Sequence, residues 1–369
     1  MASALKDQFG PAVPSEIAHM VAAVWPAFDG KAFVRDTLKG YSALTLTQRA
    51  RQIAACLRQH LPPDYAQAVD VLVRSVSVPH RHEAQHGMSG FLFLPHTYFV
   101  AEFGLEHFEA SMAAQHLLTQ RFTAEFSIRA FLERHPQRTL QQLSEWASDP
   151  SPHVRRLVSE GTRPRLPWAP RLRAFQRDPS PVLKLLEMLK DDPELYVRRS
   201  VANNLNDIGK DHPQLLEATA RRWLAGASAE REWIVRHALR SAVKRAEPGA
   251  LQALGFGGRP AVRITQASIT PQRVAIGAAV QIECELQGSG ARAAPLLVDL
   301  VVHYRKANGS TAPKIFKWQQ LQLRRGERVQ LKRRLALKQL TTRRHYPGLH
   351  RVQLQINGKP FDLGEFTLR

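Results

Sequence analysis

The chain has 369 residues, with 52 Lys+Arg against 32 Asp+Glu, a formal net charge of +20 and a pI near 10.6. At 44% hydrophobic and 23% charged it has the composition of a globular protein of two or three domains, which excludes wholesale disorder. Cys56 and Cys284 are its only cysteines, which excludes a disulfide framework and a thiolate metal cage.

The first residues, Met-Ala-Ser-Ala-Leu-Lys-Asp-Gln, lack the basic and apolar regions of a signal peptide. The most apolar stretch, Phe91 to Leu105, is broken by Pro95, His96 and Glu102, short of the roughly 18 residues of a membrane span. A cytoplasmic protein with no membrane partner is expected. His82-Glu83-Ala84-Gln85-His86 satisfies the zinc-peptidase pattern, which needs two histidines one helical turn apart with a glutamate base between them. Pro79, Gly87 and Gly90 crowd it, and Ser89 and Leu92 stand where the extended pattern wants Gly and His. A solvated loop is the better reading, and no metal is expected.

Residues 1–256 read as helical. Asp149-Pro-Ser-Pro-His-Val154-Arg155-Arg156-Leu157-Val158 matches Asp192-Pro-Glu-Leu-Tyr-Val197-Arg198-Arg199-Ser200-Val201 at a constant offset of 43 residues, and a weaker copy follows at Trp233 to Leu239. His-Pro-Gln recurs at His135 and His212. A period in the low forties with Asp-Pro before an amphipathic helix marks HEAT-type repeats, which stack into a solenoid with a concave binding face. Ser151 is the expected N-cap, Pro152 the first helical residue, and Val154, Leu157 and Val158 the buried stripe.

After Gly255-Phe-Gly-Gly258 the pattern alternates with period two. Strands are expected at Val262 to Ile269, Ala275 to Leu286, Leu296 to Tyr304, Lys314 to Gln320, Arg328 to Leu335, His350 to Ile356 and Phe361 to Leu368. Seven short strands predict an immunoglobulin-like sandwich over 259–369. This segment holds 20 Lys+Arg against six acids, a net of +14, and leaves the helical part at +6. Such a surface favours a polyanion, because neutralised phosphates release counterions.

The nearly balanced helical part carries acids in unusual places. Projected at 100° per residue, Arg156 and Glu160 fall opposite the buried stripe, on the solvent or ligand side. Glu160 faces the negative end of its helix dipole, just before the expected C-cap Gly161, at a cost of about 0.3–1 kcal/mol. Either it serves a function, or Arg156 pairs with it at i, i+4. Asn203 is the second-copy equivalent of Glu160, and Asp207 follows one turn later. Glu125 is bracketed by Phe122, Phe126 and Ile128, and each acid alone is also readable as an ordinary surface residue. Trp168, between Pro167 and Pro170, could stack on a sugar or base or simply pack.

Phe103-Gly-Leu-Glu-His-Phe-Glu-Ala-Ser-Met112, Arg121-Phe-Thr-Ala-Glu-Phe-Ser-Ile-Arg129, Val154-Arg-Arg-Leu-Val-Ser-Glu-Gly161 and Asn203-Asn-Leu-Asn-Asp207 resemble the AlkC branch of the AlkC/AlkD family of DNA alkylation-repair glycosylases. The resemblance covers about residues 1–256, and some members append an immunoglobulin-like domain. It implies release of cationic N-alkylated bases, notably 3-methyladenine and 3-methylcytosine, from duplex DNA without deep base flipping. Carried onto this sequence, it implies an acidic cluster of Glu125, Glu160 and Asp207, in which Glu160 and Asp207 stabilise an oxocarbenium-like centre and orient water, with Glu125 in support. It further implies that Trp168 stacks on the lesion sugar, and that Arg156, Arg163 and Arg199 contact phosphates. No metal or nucleotide cofactor is implied, the partner is double-stranded DNA containing alkylated bases, and a monomer is expected. The competing reading is a non-catalytic HEAT-repeat scaffold that binds nucleic acid.

Overall fold

Both copies of the Asp-Pro repeat open a helix by the same device. In the first, the Asp149 carboxylate accepts the Ser151 N–H at 2.8 Å, Pro152 takes the first helical position, and the helix runs Pro152–Gly161. In the second, Asp192 accepts the Glu194 N–H at 2.9 Å ahead of the Leu195–Ile208 helix. Ser151 occupies the N-cap position as expected, but its side chain makes no capping bond; the aspartate two residues earlier shapes the entry instead. Arg155 donates Nη1 to the carbonyls of Asp149 (2.8 Å) and Pro150 (3.0 Å), and Arg198 does the same to Asp192 (2.8 Å) and Pro193 (2.7 Å). The other edge of Arg155 grips the Asp192 carboxylate at 2.6 and 3.1 Å, so a bidentate pair staples one repeat to the next.

This computed structural model describes residues 9–79, 89–340 and 343–369, with sixteen α-helices among them followed by eight strands. Val154, Leu157, Val158, Val197 and Val201 are fully buried, each contributing on the order of 1.5–3 kcal/mol. They form the seam between Pro152–Gly161 and Leu195–Ile208, and Leu195–Ile208 packs in turn on the third copy, Ala229–Ala238. The two His-Pro-Gln triplets open the helices Pro136–Trp146 and Pro213–Leu224. Gly161 differs from expectation. It is the last residue of its helix rather than a left-handed cap, and an added Cβ there would lie 2.5 Å from Ile128 Cγ2. Glycine lets the helix end approach the Ser127–Arg134 helix.

The chain divides into two compact units, Met1–Asp211 with Ser228–Ala238, and His212–Ala227 with Leu239–Arg369. The second contains the β domain together with Pro213–Leu224, Arg240–Lys244 and Pro248–Ala253. Leu251, Phe256 and Leu297 share a small apolar cluster with Val243, Ala246 and Leu254, which ties the short helices to the sheet within that unit.

In the β domain β1 (Val262–Thr270), β3 (Ala279–Gly288) and β6 (Arg328–Ala336) form one sheet in the order β1-β3-β6. β2 (Arg273–Val274), β8 (Lys359–Leu368), β7 (Gly348–Ile356), β4 (Ala294–Arg305) and β5 (Thr311–Leu323) form the other, in that order. Each of the seven expected strands is present, and the eighth is the two-residue β2, parallel to β8. β3 begins four residues later than its periodicity suggests because Gly277, at φ +96°, turns the chain. Asn357-Gly358, with φ +46° and +77°, makes the two-residue turn joining β7 to β8. Val280, Ile282, Val298, Leu300, Val352 and Leu354 fill the core. Of the 20 Lys and Arg residues in 259–369 none is buried, and only Arg333 and Arg343 are half-buried. The sandwich thus presents its charge as surface.

Candidate active site

The site lies in the first unit, where the end of Pro152–Gly161 meets the side of Leu195–Ile208. Along the latter helix Tyr196, Ser200, Asn204 and Asp207 fall on one face at helical spacing, a polar stripe within an otherwise apolar seam. Each finds a partner on the facing segment. Ser200 Oγ donates to Glu160 Oε2 at 2.6 Å, and Asn204 Nδ2 donates to the Ser159 carbonyl at 2.7 Å and to Thr162 Oγ1 at 3.0 Å. Asp207 Oδ2 accepts Arg163 Nε at 2.9 Å, while its Oδ1 accepts Lys210 Nζ at 2.8 Å. Arg163 Nη1 reaches Glu160 Oε1 at 2.6 Å, so one guanidinium bridges two carboxylates. That contact offsets the unfavourable dipole position of Glu160.

Glu125 joins from the turn before Ser127–Arg134. Its Oε2 accepts Thr123 Oγ1 at 2.7 Å and pairs with Arg156 Nη2 at 2.9 Å, and the same Nη2 lies 3.7 Å from Glu160 Oε1. The Arg156 guanidinium also stacks 5.0 Å from the Tyr196 ring centroid. Burial works against the charge of Arg156, but Glu125 and Glu160 outweigh it and hold its pKa above the ordinary arginine value. Glu160 and Asp207 likewise outweigh burial for Arg163. Both guanidiniums therefore stay charged.

Above this network is a cleft of about 490 Å³, with Glu125, Glu160, Arg156 and Arg163 among its lining residues. Phe91, Phe122 and Phe126 line it as well, with Tyr196 and His153, and with Pro167 and Trp168. Trp168 is 73% exposed and has φ +65°, a left-handed backbone that costs a bulky residue on the order of 1–3 kcal/mol. An aromatic held strained and in the open is not serving a core.

Of the residues singled out from sequence, Glu125, Glu160, Arg156, Arg163 and Trp168 meet at this cleft. Arg156 and Glu160 do lie opposite the apolar stripe, but Glu160 is buried and Arg156 half-buried, so their face is the cleft and not solvent. Asp207 is 1% exposed and connects to the cleft through Arg163. Arg163 is itself buried, with its donors directed at carboxylates. Arg199 is exposed, does not line the cleft and makes no ion pair among the described residues. The sequence reading missed Tyr196, Ser200, Thr123, Lys210 and Arg129. One signal was available for Ser200: it stands where the first repeat copy has the core residue Leu157. His82–His86 lies outside the described residues. Among those described, no group of three or more His, Cys, Asp or Glu is placed to hold a metal, and no helix is long and apolar enough to cross a membrane.

Comparison with known proteins identifies the family. A family profile described as "DNA alkylation repair enzyme" matches residues 118–245, the segment that contains the cleft carboxylates. Over its full length the chain is similar to the solved structure of Pseudomonas fluorescens alkylpurine DNA glycosylase AlkC bound to DNA containing an abasic site analog, with 37% identity, a TM-score of 0.94 and 100% of each chain covered. This chain belongs to the AlkC branch of the AlkC/AlkD DNA alkylation-repair glycosylases. A further relative, the uncharacterized protein YhaZ of Bacillus subtilis (strain 168), is 36% identical over 368 residues, 99% of each chain. A second profile, "Uncharacterised protein YhaZ, C-terminal Ig-like domain", matches residues 263–369, the immunoglobulin-like sandwich.

Proposed function

We propose that this AlkC-branch chain hydrolyses the N-glycosidic bond of cationic alkylated bases, 3-methyladenine and 3-methylcytosine, in duplex DNA. The observation that carries the proposal is the pairing, in one open cleft, of Glu125 and Glu160 with an exposed, strained Trp168. An N3-alkylated adenine or cytosine already bears a positive charge, so the C1′–N bond breaks with its electron pair going to the base, which leaves neutral. No general acid is needed. What needs stabilising is the positive charge that develops at C1′ and O4′ of the deoxyribose. Glu125 and Glu160 supply negative charge there, while water adds to C1′ and gives its proton to the acidic cluster. Asp207 acts behind them, fixing Arg163 and through it Glu160. Trp168 stacks on the lesion sugar. In this reading the duplex lies across the cleft and the base is released without deep flipping.

Residues 1–256 form the glycosylase domain in this reading, and the basic 259–369 sandwich clamps the backbone. Arg199 is free to contact a phosphate directly, whereas Arg156 and Arg163 act mainly by orienting carboxylates. The competing scaffold reading draws on one observation, that every carboxylate of the cluster already has a cationic partner. Incubation with methylated duplex DNA, with and without chelator, separates the readings. Release of 3-methyladenine and abasic sites, insensitive to chelator, is expected; salt-sensitive binding without base release would establish the scaffold instead.

A further inference from the structure

Arg129 is buried in the Ser127–Arg134 helix and, among the described residues, has no carboxylate partner within hydrogen-bond distance. Its Nη1 donates to the carbonyls of Gly161 (3.0 Å) and Arg163 (2.8 Å), and its Nη2 to that of Pro170. Its Nε is buried without any partner. Burial pulls its pKa down to about 10, which still leaves it cationic at neutral pH. A buried charge serving three carbonyls with its Nε left over is an expensive way to build a core, and a well-packed apolar side chain would serve stability as well.

The three carbonyls share one property. They lie at the two ends of the connection that presents Trp168, Gly161 and Arg163 before it and Pro170 just after. Thr162 and Arg163 are tied to Asn204, Glu160 and Asp207, but beyond them the connection is held only by buried Leu166, by the Leu172 N–H on the Pro164 carbonyl at 3.3 Å and by the Arg165 pair with Asp211 at 2.8 Å among the described residues. At 73% exposed, the Trp168 indole gains little from packing, so its position depends on its backbone, which sits in an unfavourable conformation. A planar guanidinium can reach both ends of such a loop at once, and an ammonium cannot.

We propose that Arg129 is a positioning residue for base release, closing the Gly161–Pro170 loop across its ends and thereby setting the Trp168 indole at the cleft. The inference rests on the glycosylase reading above. Its test is a double-mutant cycle of Arg129→Lys and Trp168→Ala, read by single-turnover release of 3-methyladenine from methylated duplex at saturating enzyme. Arg129→Lys is expected to lower the rate about tenfold in the otherwise native chain and less than about twofold when Trp168 is already alanine. In the same variant, amide hydrogen exchange is expected to rise across 162–172 and to stay unchanged across the Leu195–Ile208 helix. Equal rate losses in both backgrounds, unaltered loop exchange, or a lysine variant that does not fold would each overturn the proposal, since Arg129 would then serve the core alone. A native chain that releases no base defeats the glycosylase reading and this proposal together, whereas an active native chain with equal losses defeats this proposal only.

Discussion

Neutralising Glu160 without changing its shape is the sharpest perturbation available. Glu125, Glu160 and Asp207 face Arg156, Arg163 and Lys210, so the six groups sum to a formal charge of zero. Glu160→Gln leaves that balance at +1 while keeping its amide oxygen for Arg163 and turning its amide NH2 to the Ser200 hydroxyl, which can accept. A unit charge roughly 6 Å from the developing cation, at an effective dielectric of about 20, changes its energy by about 3 kcal/mol, or about a hundredfold in rate. Asp207 lies one guanidinium further back, 1% exposed, so at roughly 10 Å Asp207→Asn changes the same energy by about 1.7 kcal/mol, a loss of about tenfold to twentyfold. The assay is single-turnover base release at saturating enzyme, which removes binding from the rate, with affinity for abasic-site DNA measured separately. Both variants gain positive charge and are expected to bind that DNA at least as tightly as the native chain. Rates within twofold of native for both would show that the cluster is not the reacting site. A larger loss for Asp207→Asn than for Glu160→Gln, in folded variants, would refute the ordering by depth.

Four other outcomes follow from the same contacts. Trp168→Gly is expected to be about 1 kcal/mol more stable than Trp168→Ala in urea denaturation, because only glycine is at ease at φ +65°, with both variants slow in base release. Asp192→Ala strands the Arg155 fork and is expected to cost about 3–5 kcal/mol by the same measurement; a loss below about 1 kcal/mol would mean the staple is dispensable. Complete burial pulls the His96 pKa down to about 4, so the unfolded chain binds its proton first on acidification. Stability from His96 is then full above about pH 6.5 and declines by about 3 kcal/mol towards pH 4, a slope that His96→Gln should flatten in pH-dependent unfolding. Asp299 has the opposite sign: burial pushes its pKa up to about 6 against the pull of Lys244 and Lys317, so its ionisation disfavours the folded state as pH rises from about 4 to 6. After discounting for screening, Asp299→Asn should stabilise the protein by about 2 kcal/mol at pH 7 and by nothing below about pH 4.

Regular features of this fold were legible because they repeat or alternate. The 43-residue offset located two helices with matching entry geometry, and period-two alternation located seven of eight strands. β2 was invisible because two residues carry no period, and its pairing with β8 is set by the C-terminal strand far away in sequence. The residues of the candidate cleft were legible where one broke a local rule, as Glu160 did at the wrong end of its helix and Trp168 did between prolines. Depth was not legible. Nothing in Asn203-Asn-Leu-Asn-Asp207 says that Asp207 sits behind Arg163 while Glu160 faces the cleft, because that ordering depends on how two helices cross. Arg129 escaped notice for a related reason: its partners are backbone carbonyls, which carry no sequence signature.

The two charge patterns of the chain act over different ranges, and that difference accounts for their separation along the sequence. Attraction of a duplex is a sum over many exposed cations, and at physiological ionic strength it reaches about 8 Å before screening takes over. It is best carried by a surface such as the sandwich, where 20 basic residues include none that is buried. Stabilisation of a cation at one carbon needs carboxylates within a few ångströms, and a strongly positive surrounding would oppose it. In the proposed reaction the first unit meets that need by pairing its nearby arginines with its own acids, so that Arg156 and Arg163 hold Glu125, Glu160 and Asp207 in place while their charge to phosphate is cancelled. On that reading proximity decides which charge the lesion meets: the carboxylates of Glu125 and Glu160 line the cleft, and the excess of positive charge lies in the β domain.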